Sequence, residues 1–177
     1  MIGLYAGSFS VPTMGHMDMI CRAASVLDGL VVAVLANPEK RYAFSPQKRA
    51  RWLEIATADL PNVRVVWDNG LLVDVARRCG AGIIVRGVRG ESDLGYEMPL
   101  AQANRHLSGL DTLFFVARPE LAYLSSTIVM DIARHGGDIA GMVPAQIADD
   151  IVNSIKECSQ WIANTRISRA MQATTEE

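Results

Sequence analysis

A chain of 177 residues that is 50 % hydrophobic, 20 % charged and 6 % aromatic has enough apolar material for a core, so wholesale disorder is excluded. Its 17 basic and 19 acidic residues leave a net charge of −2. That balance argues against a dedicated nucleic-acid binder but not against a small anionic ligand, for which a few well-placed cations suffice.

Ile2 to Ala6 is a short apolar run ended by Gly7-Ser8, and Met17 to Leu27 carries apolar residues at helical spacing. After Gly29 the run Leu30 to Ala36 is almost wholly aliphatic, as in a strand covered on both faces of a parallel sheet. Ser45-Pro46 is a cap followed by a proline suited to the first helical position, and predicts a helix to about Ala58. Asn62 to Trp67 reads as a strand, Leu71 to Cys79 as a helix stopped by Gly80, and Ile83 to Val85 as a strand ending at Arg86-Gly87. Ser92 to Leu107 is helical with acid at its start, Thr112 to Val116 is a fifth strand, and Ser126 to His135 is a helix closed by Gly136-Gly137. Pro144 to about Ser159 is a last amphipathic helix with Ile147, Ile151, Ile155 and Cys158 on one stripe. Strands alternating with helices imply right-handed crossovers, hence a single-domain α/β fold with an open parallel five-stranded sheet flanked by helices. Beyond 160 the chain ends in a polar tail; Trp161, Ile162, Ile167 and Met171 could still continue an apolar helical edge.

Cys21, Cys79 and Cys158 are too few and too scattered for a disulfide framework or a metal knuckle, and read as small buried hydrophobes. No window approaches the roughly 20 uninterrupted apolar residues of a membrane span, and the first residues do not resemble a signal peptide. The expected compartment is the cytoplasm.

Ligands of an open parallel sheet bind beyond the carboxyl ends of its strands, and the unusual residues fall there. After the first strand, Gly7-Ser8-Phe9-Ser10-Val11-Pro12-Thr13-Met14-Gly15-His16 leads straight into a helix, whose free N–H groups and dipole attract phosphate. After the second, Asn37-Pro38-Glu39-Lys40-Arg41 brings cations to the same edge; after the fourth, Arg86-Gly87-Val88-Arg89-Gly90 does so again. After the fifth, Leu124-Ser125-Ser126-Thr127 offers three hydroxyls at a helix start. Singly these are a structural histidine, solvated charge and ordinary capping. Four consecutive strand ends with phosphate-suited groups point instead to phosphoryl or nucleotidyl transfer by positioning and charge stabilisation, with His16 donating to a phosphate oxygen as charge grows.

Thr13-Met14-Gly15-His16 resembles the (His/Thr)-x-Gly-His signature of the nucleotidyltransferase superfamily. The run Ile84 to Gly90, followed by Asp93, Tyr96-Glu97-Met98, Ala101 and Asn104-Arg105, resembles the phosphopantetheine adenylyltransferase family more specifically, as does Leu124 to Thr127. The resemblance covers about Met1 to Ile155 and implies a Rossmann-like nucleotidyltransferase fold; the expected division is one domain over 1–159 with a partly flexible extension over 160–177. It implies transfer of the adenylyl group of ATP to 4′-phosphopantetheine, giving dephospho-coenzyme A and pyrophosphate. Attack would be direct and in line, without a covalent intermediate, and Mg²⁺ would help to neutralise the polyphosphate. His16, Ser8, Lys40 and Arg89 would be catalytic. ATP would meet Ser8, Phe9, His16, Gly87, Val88, Arg89, Glu97 and the stretch Leu121, Ala122, Tyr123, Leu124, Ser125, Ser126 and Thr127. Phosphopantetheine would meet Ser8, Lys40, Leu72, Arg86 and Asn104. No protein-held metal site is implied. The family is similar in being hexameric, with coenzyme A as feedback inhibitor.

The chain departs from the family's pattern at Ser10-Val11, where Asp-Pro is usual, and at Met130, where Arg or Lys is usual; Arg134, one turn on, is a possible substitute. Two rival readings are a related adenylyltransferase acting on nicotinamide mononucleotide and a nucleotide-binding homologue with weakened catalysis.

Overall fold

The computed structural model describes residues 1–36 and 42–158. Five strands, β1 (Ile2–Gly7), β2 (Gly29–Leu35), β3 (Val63–Asp68), β4 (Ile83–Val88) and β5 (Thr112–Val116), form one sheet in the order β3-β2-β1-β4-β5. Every pairing is parallel. The expected alternation is therefore present, and the chain order reverses between β1 and β4. That reversal opens a crevice at the carboxyl ends of these two strands.

The strands alternate as pleating requires. Tyr5, Leu30, Val32, Val34 and Val85 face α1 (Met14–Val26) and α2 (Pro46–Ala56), where they pack with Phe9, Ile20, Ala23 and Leu53. Leu4, Ala6, Val31 and Ala33 face the other way, onto Val75 and Ala76 of α3 (Leu72–Cys79). A third cluster joins α2 to α5 (Ser126–Arg134) and α6 (145–158) through Trp52, Val129, Ile147, Ile151 and Ile155. Cys158 is not buried with that stripe, and Cys21 is exposed and Cys79 half-buried, so the reading of all three as buried hydrophobes is corrected. Cys21 lies one turn from Met17 on α1, at the exposed edge of the stripe that buries Met17, Ile20 and Ala24.

Local chemistry sets the helix ends. Ser45 accepts from the Lys48 N–H with Pro46 in the first turn, and Gly80 ends α3 at φ 68°, a left-handed cap open to glycine. β4 runs on to Val88, so Arg86 and Gly87 are strand residues paired with Phe114 and Phe115 rather than loop residues beyond the strand. α4 (Glu91–Ser108) buries none of its 18 residues, leaving Leu94, Tyr96, Met98, Leu100 and Leu107 exposed. Among the described residues no helix is long and apolar enough to cross a membrane. Lys40 and the whole stretch 160–177, with Trp161, Ile162, Ile167 and Met171, lie outside the described residues.

Candidate active site

A cavity of about 640 Å³ occupies the crevice between β1 and β4. Its floor is the end of β1, where the turn Gly7-Ser8-Phe9 leaves the sheet. Phe9 sits at φ +43°, a left-handed conformation that bulky residues rarely adopt and that costs of order 1 kcal/mol or more. Packing holds it there: Phe9 is buried, with its ring edge-on to Tyr5 (5.4 Å) and to His16 (5.1 Å). Strain at this turn lifts Ser8 onto the cavity wall while Phe9 braces the imidazole.

His16 is the third residue of α1, and Thr13 caps the helix. The Thr13 hydroxyl accepts from the His16 N–H, and the Thr13 N–H donates to His16 Nδ1 at 3.0 Å. Because Nδ1 accepts, the ring proton of the neutral imidazole resides on Nε2. Burial, reinforced by the Arg89 cation, lowers the His16 pKa to about 4. His16 is thus a neutral, oriented donor on the cavity wall, rather than a general acid poised near neutrality.

The β4 side supplies charge. Arg86 makes a two-point pair with Glu97, Nε to Oε2 at 2.6 Å and Nη2 to Oε1 at 2.5 Å, and also donates to the Ala6 carbonyl at 2.6 Å. Arg89 pairs with Asp93 at 2.8 Å; this hydrogen bond is the main cause of a raised Arg89 pKa and a lowered Asp93 pKa. Asp93 also accepts from the Arg89 N–H, supporting the start of α4, where Gly90 contributes no side-chain cap. Tyr5 lies below, its hydroxyl pKa pushed up to about 12, mainly by burial.

The remaining wall is the segment from Ala117 to Thr127. Its approach is pinned by Asp18 on α1, which binds Arg118 at 2.8 Å and Arg22 at 3.1 Å. The Ser125 hydroxyl caps α5 by accepting from Ile128 N–H. The Ser126 hydroxyl donates to the Val11 carbonyl at 2.7 Å and accepts from the Val11 N–H at 3.3 Å, tying this wall to the β1–α1 loop. Val11 itself is buried in the α2–α5–α6 cluster, so the family's Asp-Pro is replaced here by an apolar anchor. Met130 packs against the same cluster, and Arg134 is exposed and lines no part of the cavity.

The structure thus brings Ser8, Phe9, His16, Arg86, Gly87, Val88, Arg89, Glu97, Leu121, Leu124, Ser125, Ser126 and Thr127 around one space. Leu72, Asn104, Ala122 and Tyr123 do not line it. Tyr5 and Tyr42, not singled out in the sequence, also line it, as do Thr13, Asp93 and Tyr96, which the motifs name without a contact. Behind the wall stands Arg49, fully buried, donating through Nη1 to the Ser8 carbonyl and lying 4.2 Å from the Tyr42 ring centroid. No motif marked it; Lys48-Arg49 in an amphipathic helix looks like surface charge.

Among the described residues no group of three His, Cys, Asp or Glu could hold a metal ion. Both acidic side chains on the cavity wall, Asp93 and Glu97, are paired with arginines. That donor set does not suit a protein-held magnesium ion. The arrangement suits anions: two arginines, a neutral imidazole donor and a helix N-terminus converge on one space.

A cytidylyltransferase-like family profile matches residues 4–132. The chain is 46 % identical over 147 residues to a phosphopantetheine adenylyltransferase of Lachnoclostridium phytofermentans, covering 82 % of this chain and 90 % of that one. It is 41 % identical over 157 residues to one of Caldanaerobacter subterraneus subsp. tengcongensis, covering 88 % and 98 %. In structure it is similar to a Vibrio parahaemolyticus chain assigned as a nicotinate-nucleotide adenylyltransferase. That match has a TM-score of 0.63 and 13 % identity, and covers 87 % of this chain and 93 % of the other. At that identity the likeness speaks for the fold alone.

Proposed function

The chain belongs to the phosphopantetheine adenylyltransferase family, and from that premise we propose that it transfers the adenylyl group of ATP to 4′-phosphopantetheine, releasing pyrophosphate and forming dephospho-coenzyme A. The observation that carries the mechanism is the convergence of His16, Arg86 and Arg89 on one cavity over the β1–β4 switch point. The phosphopantetheine phosphate attacks the α-phosphorus of ATP in line, with no covalent intermediate. Support for direct transfer comes from the site's chemistry: His16 is fixed as a hydrogen-bond donor by Thr13 and neutral by burial. It serves by donating from Nε2 to the α-phosphate as charge accumulates, which is stabilisation realised in the transition state.

In this reading Ser8 lies between the two substrates. Arg86, with Lys40, serves the acceptor; Gly87, Val88, Arg89, Glu97, Leu121 and 124–127 serve the nucleotide, while Leu72, Asn104, Ala122 and Tyr123, which do not line the cavity, are given no contact. Magnesium enters with ATP as part of the substrate and partly neutralises its triphosphate. Coenzyme A would compete for the same space as the acceptor. A homohexamer is our reading of the assembly, supported by the unburied apolar side chains of α4. The cytoplasm, where ATP is abundant, is the expected setting.

The test is a pyrophosphate-release assay with ATP and each acceptor. Release with 4′-phosphopantetheine is the expected result. Release with nicotinamide mononucleotide alone would favour the rival adenylyltransferase, and ATP binding without release from either would favour a non-catalytic homologue.

A further inference from the structure

Arg49 has the burial of a core residue and the chemistry of a ligand-binding one. It is fully buried on α2, yet among the described residues no carboxylate reaches it and its Nη2 has no hydrogen-bond partner. Its other contacts run to three separate places. Nη1 donates to the Ser8 carbonyl, Nε donates to the Ser45 carbonyl at 3.4 Å, and the guanidinium plane stacks 4.2 Å from the Tyr42 centroid.

Burying a cation without an anion is expensive, because desolvation is not repaid by a counter-charge. A methionine of similar length would fill the space at lower cost. What methionine could not do is hold a backbone carbonyl and a ring at once. Ser8 belongs to the turn after β1, and Tyr42 to the segment joining β2 to α2; both line the cavity. The planar fork of an arginine suits such a junction, whereas the single ammonium of a lysine does not.

We propose that Arg49 is a positioning residue: it clamps the Ser8 turn to the Tyr42 segment, and so fixes where the acceptor's phosphate stands relative to the α-phosphorus. This rests on the adenylyl-transfer reading above. The clamp acts through Ser8 and Tyr42 and does not require Arg49 to touch a substrate. A positive charge with no neutralising carboxylate among the described residues also sits beneath the Ser8 turn, which adds attraction for the acceptor's phosphate.

The experiment compares wild type, Arg49→Lys, Arg49→Met and Leu53→Ala. Leu53 is equally buried on the same helix but lies in the sheet-facing cluster, so it controls for destabilisation alone. Arg49→Met keeps the volume and removes the buried charge, a replacement that is commonly tolerated. Each variant is examined for its melting temperature and for kcat and both KM values by pyrophosphate release. The expected result is a fall in kcat of about 10- to 100-fold for both Arg49 variants, the scale of a small misplacement of reacting groups. KM for phosphopantetheine should rise more than KM for ATP. Leu53→Ala should lower the melting temperature while leaving the two KM values in their wild-type ratio.

Wild-type kinetics in either Arg49 variant would overturn the proposal. So would an Arg49 change that Leu53→Ala reproduces at an equal loss of melting temperature. If wild type itself releases no pyrophosphate with phosphopantetheine, the adenylyl-transfer reading fails instead. The melting-temperature rise caused by phosphopantetheine alone then decides the clamp: it should be smaller in Arg49→Met than in Leu53→Ala, and an equal rise in the two would overturn it.

Discussion

The guanidinium of Arg86 and the carboxylate of Glu97 meet edge to edge across the mouth of β4, both more than three-quarters buried at their side chains. A strand residue and a helix residue eleven positions apart thus neutralise each other inside the cavity proposed to take two phosphate-bearing substrates. The pair has two consequences. It fixes the Arg86 plane, and under the proposed function it leaves the acceptor's phosphate to compete with Glu97 for part of that plane.

The first prediction concerns that pair. Arg86→Ala should lower stability by about 2–3 kcal/mol, because it leaves the largely buried Glu97 carboxylate unpaired. Arg86→Ala with Glu97→Ala should recover part of this, a coupling of about 1–3 kcal/mol. Urea unfolding of the two single variants and the double variant measures it. Additive losses would show that the pair is energetically idle. In turnover, Arg86→Ala should raise KM for phosphopantetheine more than KM for ATP; the reverse order would mean that the two subsites are exchanged.

A second prediction follows from the bond between Thr13 N–H and His16 Nδ1. With Nε2 as the only ring donor, His16→Ala should cut kcat by ~10²–10³ and change KM for ATP far less. His16→Asn, whose shorter side chain carries an amide donor, should retain more activity than His16→Ala if the role is donation. Steady-state kinetics of the two variants checks this. Equal losses would show that the ring's size, not its N–H, is what matters.

Much of this geometry is legible in the amino-acid sequence, for a physical reason. Strands covered on both faces must be aliphatic almost throughout, so Leu30 to Leu35 announces its place in the sheet without any partner being known. Capping is equally local, and Ser45-Pro46 marks the start of α2 where the structure has it. The end of β4 is less visible: Arg86 and Gly87 interrupt the aliphatic pattern, and only pairing with Phe114 and Phe115 shows that the strand continues. The serines at the start of α5 divide in the same way. Ser125 is the cap that local reasoning expects, while Ser126 reaches Val11, 115 residues away, which no local signal reports. Arg49 is the extreme case. Its neighbours Lys48 and Arg51 are solvated, and its burial arises only because the Ser8 turn and Tyr42 close over it.

The Ser126–Val11 link carries the third prediction. Ser126→Ala would leave the Val11 N–H and carbonyl without the hydroxyl that satisfies both, at a cost of about 1–3 kcal/mol. Ser125→Ala removes only a helix cap and should cost about 1 kcal/mol. Thermal unfolding of both variants compares them. A larger loss at Ser125 than at Ser126 would mean that the tie between the two loops contributes little.

The fourth prediction is a pH dependence with a definite sign. In the unfolded chain His16 titrates near its ordinary value of 6.5; in the folded protein burial and Arg89 hold it at about 4. Between these values the unfolded state binds the extra proton, so stability falls as pH drops from 6.5 toward 4. Above 6.5 both states are neutral at this residue and its contribution is complete. The lowered carboxyl pKa values of Asp93 and Asp68 act in the same direction but at more acid pH, since their stabilisation is lost only as the carboxylates protonate. Melting temperature measured across pH 4–7 should therefore decline on the acid side. In His16→Asn the part of that decline above pH 5 should be reduced, because no imidazole is left to titrate at this position. An NMR titration of wild type should show the His16 ring resonance, identified by its loss in His16→Asn, unshifted down to about pH 5. A His16 resonance titrating near 6.5 would mean that Nδ1 is not committed to Thr13 and that burial does not hold the imidazole neutral below that pH.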